Sequence, residues 1–316
     1  MPDIYLHSRL TEDVIKDLNR DINQNIAFLG AQGPDPMYYN NFNKNQAQFR
    51  YYADRIHDTN TQDFFIDMVN YVKTNNNQST YSFLIGFICH YALDSSLHPY
   101  VYSNVGIFKK DDPKTHNWRG LHLKFERTID CLLIEEETGI KAGNFNLLKK
   151  HYPLKHSNKE INGLMDYVLN RKFNIENGYY VYKSSVTAMY KIIKYMYRDP
   201  FSIKRVFYKF IDLFTKNLDM HMVDLSFNRN VHDFDYHNKE KRNWNHPVTN
   251  EQYNYSVMEI YDQAKDFALG IISKVNEYLL NSKDIDLTSV FTNLSFNSGL
   301  DCDQKKPFQY FNVYRK

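Results

Sequence analysis

The sequence predicts an all-α protein. Three observations carry that expectation. Apolar residues recur at three- and four-residue steps along most of the chain, no segment sustains period-two alternation, and no internal repeat is present.

Residues 1–8 form a short lead-in that carries His7. Residues 11–28 follow as a helix, with Thr11 as its N-cap and Val14, Ile15, Leu18, Ile22 and Ile26 at helical spacing. Gly30-Ala-Gln-Gly33-Pro34-Asp35-Pro36 then stops it as a rigid, irregular loop, in which the flanking prolines hold Asp35 extended. Helices are expected at 46–57, ending near His57, and at 61–74, capped by Thr61 with Phe64, Phe65, Met68 and Val72 inward. After a polar connector, 80–98 reads as a helix anchored by Phe83, Phe87, Ile88 and Leu97, with Pro99 just past its end. A loop rich in Lys and Asp leads to a helix at 118–138, striped by Leu121, Phe125, Ile129 and Leu132 and stopped by Gly139. Further helices are expected at 158–172, 180–198 and 201–217, the last two parted by Asp199-Pro200. Residues 221–248 are polar and irregular and hold His221, His232, His237, Trp244 and His246. A helix at 252–281 presents Ile260, Ala264, Phe267, Ile271, Val275 and Tyr278 on one face, and the remainder is weakly patterned.

The chain has 316 residues, enough for a sizeable core, and 39 basic against 37 acidic groups give a formal charge of +2. That near-neutral balance makes no electrostatic case for nucleic acid as the main partner. Cys89, Cys131 and Cys302 form no CxxC pair and are odd in number, so a reducing compartment is expected rather than a disulfide framework. No secretory signal opens the sequence and no apolar run reaches the ~18–20 residues of a spanning helix, so a cytoplasmic location is expected. Neither a phosphate-cradling P-loop nor a G-x-S-x-G elbow is present.

The helix at 80–98 carries His90, Asp94 and His98 at i, i+4 and i+8. Each four-residue step drifts only about 40°, so all three side chains leave one face. An apolar helix that lines up imidazole, carboxylate and imidazole does so at a desolvation cost, and a bound cation is the simplest compensation. His122 and Glu126 repeat the i, i+4 pattern, and Asp130 continues their row. A lone pair of this kind is usually a surface contact. Two such patterns on apolar helices leave a metal site and surface pairing both open. A His and carboxylate set without thiolates suits a catalytic zinc that keeps a position for water.

Met1-Pro-Asp-Ile-Tyr-x-His7, the loop from Gly30 to Pro36, Gly86-Phe-x-x-His90-Tyr-x-x-Asp94-x-x-x-His98-Pro, and His122-x-x-x-Glu126 followed by Asp130 resemble the zinc-dependent phospholipase C family over about residues 1–135. Asn238 to Pro247 is similar, more loosely, to a recurring C-terminal element of such proteins. The resemblance implies a helical domain of the phospholipase C and nuclease-like type over 1–220, and a helical extension over 221–316 packed on it. It implies one zinc on His57, His90 and Asp94, a second on His98, His122 and Glu126, and a third on His7 that shares Asp94 as a bridge. Asp35 would be the non-ligand carboxylate that orients or deprotonates the attacking water. Secreted members complete the third zinc with an N-terminal Trp. This chain begins Met1-Pro2-Asp3, so two zinc ions are expected and the third depends on Asp3 or another group.

The activity implied is attack of zinc-activated water on a phosphodiester, giving a diglyceride and a phosphorylated head group from a phospholipid. A single-strand nuclease of the related zinc-cluster class is the alternative, and it would want stacking aromatics and a basic groove. An inactive metal-binding scaffold is the other. Tyr38, Tyr39, Phe42, Tyr51 and Tyr52 are candidates to hold acyl chains or a quaternary ammonium, against an ordinary packing role. Residues 186–214 mix Lys and Arg with Ile192, Ile193, Val206, Phe207, Phe210 and Phe214. Core helices with solvated basic faces are expected there, with transient membrane-surface contact as the alternative. His116, His151, His156 and His221 read as surface or packing residues, while His237 and His246 are candidates to approach the cleft. Cys89 faces about 100° away from His90 and reads as a buried thiol.

Overall fold

A computed structural model describes residues 4–18, 20–40, 44–215, 218–227, 233–281 and 285–314. Among them the architecture is all-α. The helices in chain order are α1 (Ile4–Asp17), α2 (Gln24–Gly30), α3 (Gln46–Asp58), α4 (Thr61–Asn75), α5 (Gln78–Val105), α6 (Leu121–Thr138), α7 (Leu147–Lys150), α8 (Lys159–Phe173), α9 (Gly178–Ile192), α10 (Ile203–Asp212), α11 (Val257–Asn281) and α12 (Leu287–Val290). A two-stranded antiparallel pair, β1 (Trp244–Asn245) and β2 (Gln252–Tyr253), matches Trp244 with Tyr253 and Asn245 with Gln252. Among the described residues no helix is long and apolar enough to cross a membrane.

The fold is built around α5. Its 28 residues are buried on nearly every side, as expected of a helix that is apolar all round. α1, α2, α4, α6, α8 and α11 pack directly on it, and one hydrophobic core runs from Ile4 to Tyr314. The approach of α2 to α5 is governed by two glycines. A Cβ on Gly86 would collide with the carbonyl of Ala27, and one on Gly30 with the carbonyl of Phe83. Backbone therefore lies on backbone at that crossing.

Several boundaries differ from expectation for identifiable reasons. His7 lies in helix α1 and not in a lead-in, because the α1 N-terminus is capped from a distance. The Asp130 carboxylate accepts from Tyr5 N at 2.7 Å and Leu6 N at 3.0 Å, meeting donors that a helix start leaves open. Thr11 is inside α1, where its hydroxyl donates to the His7 carbonyl. The expected helix over 11–28 is two helices, since the Asn23 side chain accepts from Ile26 N and starts α2 anew. Thr61 does not cap α4; its hydroxyl donates to the Leu294 carbonyl. Asp35 is not in an extended segment but opens a 3-10 turn over Asp35–Tyr39. Pro99 does not end α5, which runs on to Val105. The carbonyl that a residue 99 N–H would have met, that of Ser95, instead faces Gly299 of the C-terminal segment.

Cys89, Cys131 and Cys302 are all buried. Replacing Gly86 by Ala forces α2 away from α5 and is expected to destabilise the protein by ~1–3 kcal/mol, the usual scale of overpacking. Urea titration followed by circular dichroism reads this as a lowered midpoint, and an unchanged midpoint would contradict the close crossing.

Candidate metal centre

All seven predicted ligands sit on four helices that converge on the middle of α5. α1 brings His7, α3 brings His57 at its last turn, and α5 brings His90, Asp94 and His98. α6 brings Glu126, and one turn earlier His122. His7, His57, His90, Asp94 and His98 are at most 1% exposed. The side chain of His122 is 33% exposed, so solvent reaches the group at that end.

The donor atoms form two sets. Asp35, His57, His90 and Asp94 place one ligand atom each within 4.8 Å of one another, and His98, His122 and Glu126 do the same. Asp94 belongs to the first set, and its Oδ2 is 3.9 Å from Nδ1 of His98 in the second. That oxygen is 3.1 Å from His90 Nε2 and 3.7 Å from His57 Nε2, while Asp94 Oδ1 is 3.3 Å from His7 Nε2. Asp35 Oδ1 stands 3.4 Å from His57 Nε2 and 3.7 Å from His90 Nε2, so Asp35 shares the first set with the expected ligands. In the second set Glu126 Oε1 is 2.8 Å from His122 Nε2 and 3.4 Å from His98 Nε2.

Three features fit these residues to metal. First, three histidines donate Nδ1–H to main-chain carbonyls: His57 to Ala53 at 2.8 Å, His90 to Ala31 at 3.0 Å and His98 to Phe296 at 2.7 Å. That fixes the tautomer and leaves each Nε2 lone pair aimed into the centre, the second-sphere arrangement of ligating imidazoles. Second, the inward atoms of His7, His57, His90 and His98, both Asp94 oxygens and Asp35 Oδ1 make no hydrogen bond although buried. Groups left so would each cost desolvation. Third, the first-set separations are 3.1–3.7 Å, and three of the four exceed the usual hydrogen-bond range. They match the edge of about 3.3 Å expected for a tetrahedron with ~2.0 Å zinc bonds.

The local sequence explains the placement. Gly33, at φ +50, lets the loop press onto His90, whose ring a Cβ at that position would overlap. The same loop supplies the Ala31 carbonyl to His90 and carries Asp35. Sequence reasoning missed Phe296, which gives its carbonyl to His98 and lays its ring 5.1 Å from that of His57. A main-chain acceptor in a weakly patterned tail leaves no sequence signal. Asp130, read as a continuation of the ligand row, instead caps α1 and so positions His7. Of the aromatic candidates, Tyr38 touches the centre, its ring 5.7 Å from that of His57. Tyr39 pairs with Tyr197 and Tyr52 with Phe173, Tyr51 is exposed, and Phe42 lies outside the described residues. His237 and His246 do not enter the centre; they bond the carbonyls of Ile129 and Ser298. The chain start, Met1 to Asp3, on which a third zinc would depend, and His232 also lie outside the described residues.

A family model described as zinc dependent phospholipase C matches residues 5–179. The chain belongs to this family. Among curated proteins and solved structures no significant match was found. The family match takes in every residue of both donor sets, and the family is described as zinc dependent.

Without metal the centre holds charge in a defined way. Burial alone would lower His57, but the Asp35 and Asp94 carboxylates beside it outweigh burial and raise the imidazolium to about 10. Burial would raise Asp94, yet the imidazoles around it, His90 and His98 foremost, hold its carboxyl well below the usual range. Burial lowers His7 and His98, which are therefore neutral donors at pH 7. Because ligation needs neutral imidazole, zinc must displace the His57 proton. Zinc affinity is then expected to rise about tenfold per pH unit toward pH 10. Calorimetric titration in buffers of different ionisation enthalpy should record about one proton released per chain near neutral pH. In metal-free protein the His57 contribution to stability is full below its unfolded value of 6.5 and lost as pH rises through about 10.

Proposed function

We propose that this protein is a zinc-dependent phosphodiester hydrolase that cleaves phospholipids as a phospholipase C, releasing a diglyceride and a phosphorylated head group. The observation that carries the proposal is the pair of neighbouring donor sets, the first built around buried Asp94, in a chain of the zinc-dependent phospholipase C family. His57, His90 and Asp94 would hold one zinc and His98, His122 and Glu126 a second. His7, facing the other oxygen of Asp94, would contribute to a third.

Zinc bound at such sites supplies a lowered water pKa, toward ~7, and neutralises charge on phosphoryl oxygens. The protein's own part is positional. The main-chain carbonyls behind His57, His90 and His98 keep the imidazole lone pairs converged, so little reorganisation is needed as charge develops. The apolar packing of α5 excludes bulk water from the first set. Asp35, on a loop pinned against His90, is assigned the proton of the attacking water. His122, the most open of the predicted ligands, marks the side from which a head group enters.

Asp35→Asn separates base from ligand. With zinc content unchanged, turnover of dihexanoyl-phosphatidylcholine, read as phosphocholine release, is expected to fall by ~10²–10⁴-fold. Loss of a zinc in that variant would make Asp35 a ligand instead. Cleavage of single-stranded DNA without phosphocholine release from the wild type would overturn the lipid assignment in favour of a nuclease.

A further inference from the structure

Of the apolar face expected to pack in the core over residues 186–214, Ile192 and Ile193 are buried, but the part at and beyond α10 faces outward. Phe201, Ile203, Val206, Phe207, Phe210 and Phe214 are each between 59 and 81% exposed. On α10 the positions 203, 206, 207 and 210 fall at i, i+3, i+4 and i+7, so they form one continuous ridge. The opposite side of the helix is the one that packs, through buried Tyr208 and half-buried Ile211. An ordinary surface helix has the reverse orientation, and an apolar face of this kind marks an interaction surface.

Within residues 191–214 the charges are sorted by sign. Asp199 and Asp212, the two acids of residues 191–214, both turn inward. Asp199 accepts from Lys204 N, Arg205 N and Ser226 Oγ, and Asp212 from Met222 N and Val223 N. The exposed charges of the same stretch are Lys191, Lys194, Arg198 and Lys209. Exposed Phe beside exposed Lys and Arg is the composition of a helix that lies in the headgroup layer of an anionic membrane. A second copy of the chain is a poorer occupant, because a two-fold contact would set the basic side chains against themselves.

The ridge is tied to the open end of the metal centre. Asp212 holds the turn Met222–Leu225, whose Asp224 and Leu225 carbonyls accept from the buried Arg127 of α6. The chain leaving α10 also gives the carbonyls of Thr215, Leu218 and Met220 to Arg119, just ahead of α6 and three residues before His122. We propose that the outward face of α10 docks the protein on anionic phospholipid surfaces, with the His122 end of the centre close by. The docking stands on the surface itself; that the membrane also provides the substrate rests on the phospholipase reading.

The test is cosedimentation of zinc-loaded protein with sucrose-filled vesicles, on ice and within minutes. Vesicles of phosphatidylcholine alone are compared with vesicles that also contain phosphatidylglycerol. Wild type is expected to partition roughly tenfold better onto the anionic vesicles, with the preference lost in high salt. The double variant Phe207→Ser/Phe210→Ser should lose roughly tenfold in binding. Its thermal melt and its hydrolysis of soluble dihexanoyl-phosphatidylcholine should match wild type. Equal vesicle binding by the variant, or no binding by wild type, overturns the docking. So does a variant that turns a dimer into a monomer by light scattering while vesicle binding is unchanged. Vesicle binding without hydrolysis of any lipid upholds the docking and sinks the phospholipase reading, whereas hydrolysis of soluble lipid without vesicle binding does the opposite.

Discussion

A carboxylate sealed from solvent among imidazoles is the constraint that the rest of the molecule answers to. Asp94 has no hydrogen bond of its own, and His7, His57 and His90 point at its two oxygens from three different helices. A charge in that position is costly unless opposite charge is supplied. Protons supply it in the metal-free protein, with His57 holding one tightly. Zinc would supply it with shorter bonds and more charge. The helices are arranged to make the exchange possible without rebuilding. The Nδ1 side of each of His57, His90 and His98 is already committed to a carbonyl, so only the Nε2 side is available.

Much of the fold serves that convergence. Glycines at the crossing of α2 and α5 bring the loop at 30–36 over His90, and Gly33 lets it lie flat on the ring. Asp130 draws the start of α1 onto α6, which carries His7 toward Asp94. The tail returns to the centre at Phe296, behind His98, and is itself held by His246 bonding Ser298. The hairpin of β1 and β2 that bears His246 packs its Trp244 on Tyr100 of α5. Elements far apart in the chain thus each place one donor, or one acceptor behind a donor.

What the sequence discloses and what it hides divide along physical lines. The faces of α5 and α6 were legible because ligand spacing and helical period coincide within one helix: His90, Asp94 and His98, then His122 and Glu126. The loop at Asp35 was legible from its glycines and prolines, though not its 3-10 turn, since the Gln32 carbonyl that accepts from Asp35 N leaves no pattern. The sequence pattern puts His7 on a lead-in because its helix is capped by a residue 124 positions away from Leu6. Pro99 misled for a similar reason: the tail segment that lies on the freed carbonyl is remote in sequence. The ridge on α10 carried the ordinary amphipathic pattern of a core helix, and pattern alone does not say which side faces the core.

The central claim is that the two neighbouring donor sets, the first built around Asp94, hold zinc. The most direct measurement is elemental analysis of protein purified with zinc available, for wild type and for Asp94→Ala. The account predicts at least two zinc ions per wild-type chain, on the two donor sets, and a clear loss in the variant, which removes the Asp94 carboxylate from the first set. A metal-free wild type, or an Asp94→Ala protein with undiminished zinc, would contradict it.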